Sequence, residues 1–90
     1  MRKVHDLKLN IEFCSAVLYG DKTFEVRLND RGYQKGDYIY FHPIDSKTLQ
    51  EVNHPIIDKC FEITYVLNGY GIYEDYVCFS IKKLGEGESE

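Results

Sequence analysis

Ninety residues, 43% of them hydrophobic and 14% aromatic, suit one small domain with a dense apolar fraction and no second core. A formal net charge of −4 excludes a polybasic, histone-like binder of nucleic acid, whose affinity needs a broadly cationic surface. No apolar run approaches the ~20 residues of a membrane-spanning helix, no charged n-region with an apolar h-region opens the chain, and Cys14, Cys60 and Cys78 form neither an even disulfide framework nor a Cys-x-x-Cys pair, so a reduced, cytoplasmic protein is expected.

Residues 4–9 alternate, with Leu7 and Leu9 on one side and Asp6 and Lys8 on the other, the period of a half-buried strand. Asn10 is a good N-cap for a helix over 11–19, where Phe13, Cys14, Val17 and Leu18 make one apolar stripe and Gly20 supplies the left-handed residue after its end. Over 23–28, Phe24, Val26 and Leu28 alternate with Thr23, Glu25 and Arg27, which predicts a strand with the apolar set facing the core. Asn29-Asp30-Arg31-Gly32 and Gly36-Asp37 read as turns. Tyr38 to His42 form an aromatic and β-branched strand that Pro43 is expected to end. Residues 43–58 read as a loop with a weak strand near Leu49–Val52. Cys60 to Leu67 alternate, with Phe61, Ile63, Tyr65 and Leu67 on one side, and Val77, Phe79 and Ile81 mark one face of a last strand over 76–81. The sum is a mainly β, α+β domain over residues 1–84 with one principal helix and five or six strands, small enough that closure into a barrel would spare it exposed edges. Residues 85–90 are a polar, acidic tail expected to be disordered.

The charge is unevenly distributed. Residues 1–36 hold seven bases and five acids, residues 37–84 four bases and seven acids, and the tail three acids. Lys22, Glu25 and Arg27 lie in the basic part, and side chains on one strand face stand ~6.5–7 Å apart, close enough to pair or to grip one ligand from two sides. Arg offers a planar donor fork for phosphate or a base edge, and Glu offers acceptors for an amino group. A solvated strand face with a weak ion pair is the alternative reading of the same residues.

Gly20-Asp21-Lys22-Thr23-Phe24-Glu25-Val26-Arg27 resembles the G-x-K-x-x-E-x-R signature of the ASCH superfamily. The longer string through Leu28-Asn29-Asp30-Arg31 and Gly36-Asp37, with the early His5-Asp6-Leu7-Lys8, resembles a small bacterial and phage branch of unknown function. That branch ends in a Gly-Tyr-Val-x-x-Ser strand, and here Asp75 replaces the Gly before Tyr76-Val77-Cys78-Phe79-Ser80. The resemblance implies a small PUA-like β-barrel with a cleft beside the first helix and RNA or a modified nucleotide as its ligand. Lys22, Glu25 and Arg27 would line that cleft, and Asn29, Asp30 and Arg31 would shape its rim. One ASCH branch removes acyl groups from N4-acylcytidine with a Lys, a Thr and a Glu. Only the Lys has a counterpart here, Lys22, so catalysis is not carried over; as an enzyme this chain would be an amidohydrolase using Lys22 and Glu25.

Other residues point less far. His5 falls on the leucine side of its strand, the place of a satisfied core histidine. His42, His54, Cys60 and Cys78 lack ligand spacing, so no metal is expected, and no cofactor. The cysteines suit buried small hydrophobes. Tyr65, Tyr70, Tyr73 and Tyr76 suit a strand or base stacking, with Tyr70 and Tyr73 the more exposed. Asp30 suits a turn anchor, and Arg31 either a phosphate contact or a loop charge. The expected function is recognition of RNA or a nucleotide by a monomer with no membrane partner. A nucleoside amidohydrolase and a protein-binding module are the alternatives.

Overall fold

The computed structural model describes residues 2–85. Five strands and one helix follow in the order β1 (Val4–Asn10), α1 (Ile11–Leu18), β2 (Phe24–Leu28), β3 (Tyr38–Ile44), β4 (Cys60–Leu67) and β5 (Tyr76–Lys83). They form one sheet with strand order β1-β3-β4-β5-β2, in which β1 and β3 run parallel and every other pair antiparallel. β1 and β2 are therefore both edges. The sheet curls into a half-barrel that brings them near each other, but no backbone ladder joins them. Arg27 Nη2 donates to the Lys8 carbonyl at 2.7 Å and Arg31 Nη1 to the Asp6 carbonyl at 3.3 Å, so two arginine side chains span the seam that full closure would have filled.

The concave face holds the core. Phe41, Phe61 and Phe79 are buried there with Leu7, Leu9, Ile39, Ile63 and Val77. Burying each such side chain contributes about 1.5–3 kcal/mol. Helix α1 closes one end of the half-barrel with Cys14, Val17 and Leu18, as its stripe requires. Asn10 makes no side-chain cap bond. The helix ends where Gly20 takes φ +88°, and the Ala16 carbonyl accepts the amides of both Asp21 and Lys22 at 2.9 Å, which fixes Lys22 at the turn into β2.

His5 is buried with Asp37. Its Nε2 lies 2.9 Å from Asp37 Oδ2, and Asp37 also accepts the amides of Lys3 at 3.1 Å and Gln34 at 3.0 Å. The histidine is thus a satisfied core residue, its ring 4.8 Å from that of Tyr33.

Six expectations need correction. β2 is turned over: Glu25 is 4% exposed, while Phe24, Val26 and Leu28 are 48%, 51% and 47% exposed on the convex side. Period 2 says that two faces differ, and here ion pairing rather than polarity decides which one is inside. In β4 the register slips between Ile63 and Tyr65, a bulge that sends Tyr65 outward and turns Val66 against the core. β3 runs through Pro43 to Ile44, because β4 pairs with it only as far as Tyr40 and Pro43 owes no ladder bond on that side. Phe13 stands half-exposed rather than in the helix's buried stripe. Cys14 is fully buried, whereas Cys60 and Cys78 are only partly so. The weak strand near Leu49–Val52 reduces to a single bridge between Ile44 and Glu51. The acidic tail, apart from Gly85, lies outside the described residues.

Candidate functional site

The inversion of β2 creates the site. Glu25 enters the concave side near the seam, where no apolar environment could hold a lone carboxylate at reasonable cost. Both of its oxygens are engaged: Oε1 accepts from Arg27 Nε at 2.9 Å, and Oε2 accepts from the Lys22 ammonium. Lys22 also donates to the Phe24 carbonyl at 2.8 Å. Two cations are thus fixed on one buried anion, and the cluster keeps a net positive charge. Lys22 and Arg27 are each about a fifth exposed, so both remain reachable from solvent.

A cleft of about 380 Å³ opens beside this cluster, between the start of α1 and β2. Its walls are Lys8, Leu9, Asn10, Phe13, Lys22, Phe24, Glu25, Val26 and Arg27. The Lys22 ammonium lies 5.5 Å from the centre of the Phe13 ring and 4.8 Å from that of Phe24, within cation–π range of both. The cleft therefore combines exposed aromatic faces with cationic heads and one amide, Asn10. Its volume is at the lower end of the ~300–1,000 Å³ of small-ligand pockets.

Cys14 lies behind the cleft and is no nucleophile. Burial pushes its thiol up to about 11, with Glu25 and Glu12 adding to the shift, and the Sγ donates to the Asn10 carbonyl at 3.5 Å. A Ser–His contact, between Ser15 and His54, does not form a catalytic pair either. His54 Nδ1 accepts the Ile56 amide at 3.0 Å, so in the neutral ring Nε2 carries the proton and donates to Ser15 Oγ at 3.0 Å. No group of three or more His, Cys, Asp or Glu side chains is placed to hold a metal ion among the described residues. No helix among them is long and apolar enough to cross a membrane.

The structure brings Lys22, Glu25 and Arg27 together and leaves Asn29, Asp30 and Arg31 outside the cleft walls. Asn29 donates its amide to the Asp75 carbonyl at 2.8 Å, and Asp30 meets Arg31 at 3.8 Å in the turn after β2. Arg31 spends its Nη1 on the seam. Sequence reasoning missed Lys8, Asn10 and Phe13 as cleft residues and placed Phe24 and Val26 in the core. Lys8 and Asn10 come from β1, the opposite edge of the sheet, and only the curl of the strands makes them neighbours of β2. The late tyrosines divide as expected in exposure: Tyr70 and Tyr73 are the most exposed, and Tyr73 meets Tyr76 edge-on at 6.1 Å, the two lining with Val26 a hollow that adjoins the cleft.

The model of a family described as a domain of unknown function, DUF3850, matches residues 4–81. An uncharacterized 12.9 kDa protein in the GpA 3′ region of Escherichia phage P2 is 40% identical over 42 residues, which are 47% of this chain and 38% of that protein. This chain therefore spans well under half of that relative's length.

Proposed function

This chain belongs to the DUF3850 family, and from the cleft we propose that it is an ASCH-type module that binds RNA or a nucleotide, in the cytoplasm and without a membrane partner. The single observation that carries the reading is the triad: Lys22 and Arg27 pinned on buried Glu25, with Phe13 and Phe24 flanking the lysine. Arg27, Lys22 and Lys8 take phosphate, and a base rests against the phenyl rings, a contact worth about 1–3 kcal/mol per base. Glu25, 4% exposed, turns one oxygen to each cation and keeps further acceptor capacity for an amino group of the base. It holds the two cations in place, so that little side-chain entropy is lost when the ligand arrives.

The kinship with ASCH domains, and with the PUA-like barrel as parent of this half-barrel, belongs to the same proposal. Its support is that the three signature residues meet in one cleft. The amidohydrolase alternative has weaker support, because the Lys22 ammonium is engaged as a donor to Glu25 and to a carbonyl rather than poised as a free amine. A protein-binding role draws on one observation, the exposed row of Phe24, Val26 and Leu28 on β2, two of which also wall the cleft.

The test is an NMR titration with mononucleotides. Amide shifts confined to residues 8–13 and 22–27, and lost in Lys22→Ala, are the expected result. Shifts elsewhere overturn the site. Absence of any shift, with a stoichiometric protein partner retained through the convex face of β2, replaces the reading by the protein-binding one.

A further inference from the structure

The cleft is one of two hollows that share Lys22. The other, of about 440 Å³, also has that lysine in its wall and lies between the end of α1, the start of β4 and the end of β5. Its walls include Tyr19, Lys22, Thr23, Lys82 and Lys83. Its composition repeats that of the cleft. Each hollow has cations at its wall and an aromatic ring open to solvent: Phe13 and Phe24 in the cleft, and Tyr19, 71% exposed, in the second hollow. Across both, the cations are Lys8, Lys22, Arg27, Lys82 and Lys83, and the one carboxylate is Glu25. In a chain of net charge −4 this is a strong local concentration of positive charge. The acids beside them are Asp21, between Gly20 and Lys22, and Glu62, which faces Lys82 in the strand register and meets Arg2 at 3.6 Å; neither is in the walls of either hollow.

A mononucleotide fills one hollow and leaves the second without purpose. A chain of phosphates and bases needs cation and aromatic face repeated at successive positions, as they are here. We infer that the ligand is a single-stranded oligonucleotide running through both hollows, with one phosphate over Lys22 at the ridge between them and the next within reach of Lys83. Thr23 offers a hydroxyl on that ridge. This rests on the nucleotide-binding reading of the cleft and extends it to a second subsite and a ligand of at least two units.

The experiment measures affinities of the full chain for a mononucleotide, a dinucleotide and a tetranucleotide by fluorescence anisotropy, in ribose and deoxyribose forms. The comparison includes Lys83→Gln and Tyr19→Ala, both at exposed positions where folding is checked by circular dichroism. The dinucleotide and tetranucleotide should bind at least about tenfold more tightly than the mononucleotide. Lys83→Gln should weaken the tetranucleotide about fivefold, lower the magnitude of its salt slope by about 0.7, and leave the mononucleotide within twofold. The ribose and deoxyribose arms identify which strand is preferred. Equal affinity for all lengths, with both variants silent, overturns the second subsite and leaves the cleft reading intact. No binding at any length overturns both.

Discussion

Two buried carboxylates, Asp37 and Glu25, show how the same group is put to different ends. Asp37 lies at the foot of β3, where its partners are a buried histidine and two backbone amides. Those partners belong to the fold and none can be offered to a ligand. Glu25 lies at the seam, where its partners are two long, partly exposed cations. Each carboxylate is paid for by its neighbours, but only the second leaves charge facing solvent. The difference teaches where to look for function: a buried acid satisfied by backbone fixes a turn, whereas one satisfied by reachable cations organises a site.

The largest expected effect tests the first half of that contrast. Asp37→Ala should cost about 3–5 kcal/mol in urea denaturation, the range for breaking a buried pair, while ligand affinity of the folded fraction stays unchanged. The pH dependence sharpens it. Burial raises the pKa of Asp37, but the His5 hydrogen bond and the amides of Lys3 and Gln34 outweigh burial and hold it below the ordinary carboxylate range. A depressed folded pKa means stability that is complete above the unfolded value, near ~4, and lost as pH falls through the lower folded value. The urea midpoint should therefore drop on the acid side, and Asp37→Asn should flatten that part of the profile.

Glu25→Gln should cost less, about 1–3 kcal/mol, since the charges it frees can reach water. It should also abolish the nucleotide-induced amide shifts. Loss of stability equal to that of Asp37→Ala with binding retained would break the comparison. The smallest effect belongs to the convex side. Val26→Ser should stay within about 0.5 kcal/mol of the parent, as an exposed substitution does. A cost of about 2 kcal/mol or more, usual for a core position, would return β2 to the orientation its alternation suggests.

The sequence carried the outline because most elements were locally consistent. The stripe of α1 apart from Phe13, the alternation of β1 and β5 and the turn at Gly20 each agree with what the fold shows. The orientation of β2 was not legible, because polarity favours Phe24 and Val26 inside, and only the meeting of Lys22, Arg27 and Glu25 in space reverses the balance. The bulge in β4 depends on pairing with β5, and no feature of Ile63-Thr64-Tyr65 announces it. For the candidate site, the residues adjacent in sequence were visible as a charged cluster. Those supplied by β1 and α1 were hidden because curvature, not sequence distance, brings them in.

The arginine-spanned seam sets how the half-barrel can deform. A closed barrel changes girth only by breaking a ladder of backbone bonds. Here, parting the β1 and β2 edges at these two bridges exchanges the Arg27–Lys8 and Arg31–Asp6 contacts for water, at about 0.5–1.5 kcal/mol each. Arg31 is the more exposed of the two, at 49% against 22% for Arg27, and such an exposed side chain rotates in roughly picoseconds to nanoseconds. One of the two bridges thus belongs to Arg27, which also holds Glu25 and in the proposed reading meets the ligand, so binding and the hold on the seam share one side chain.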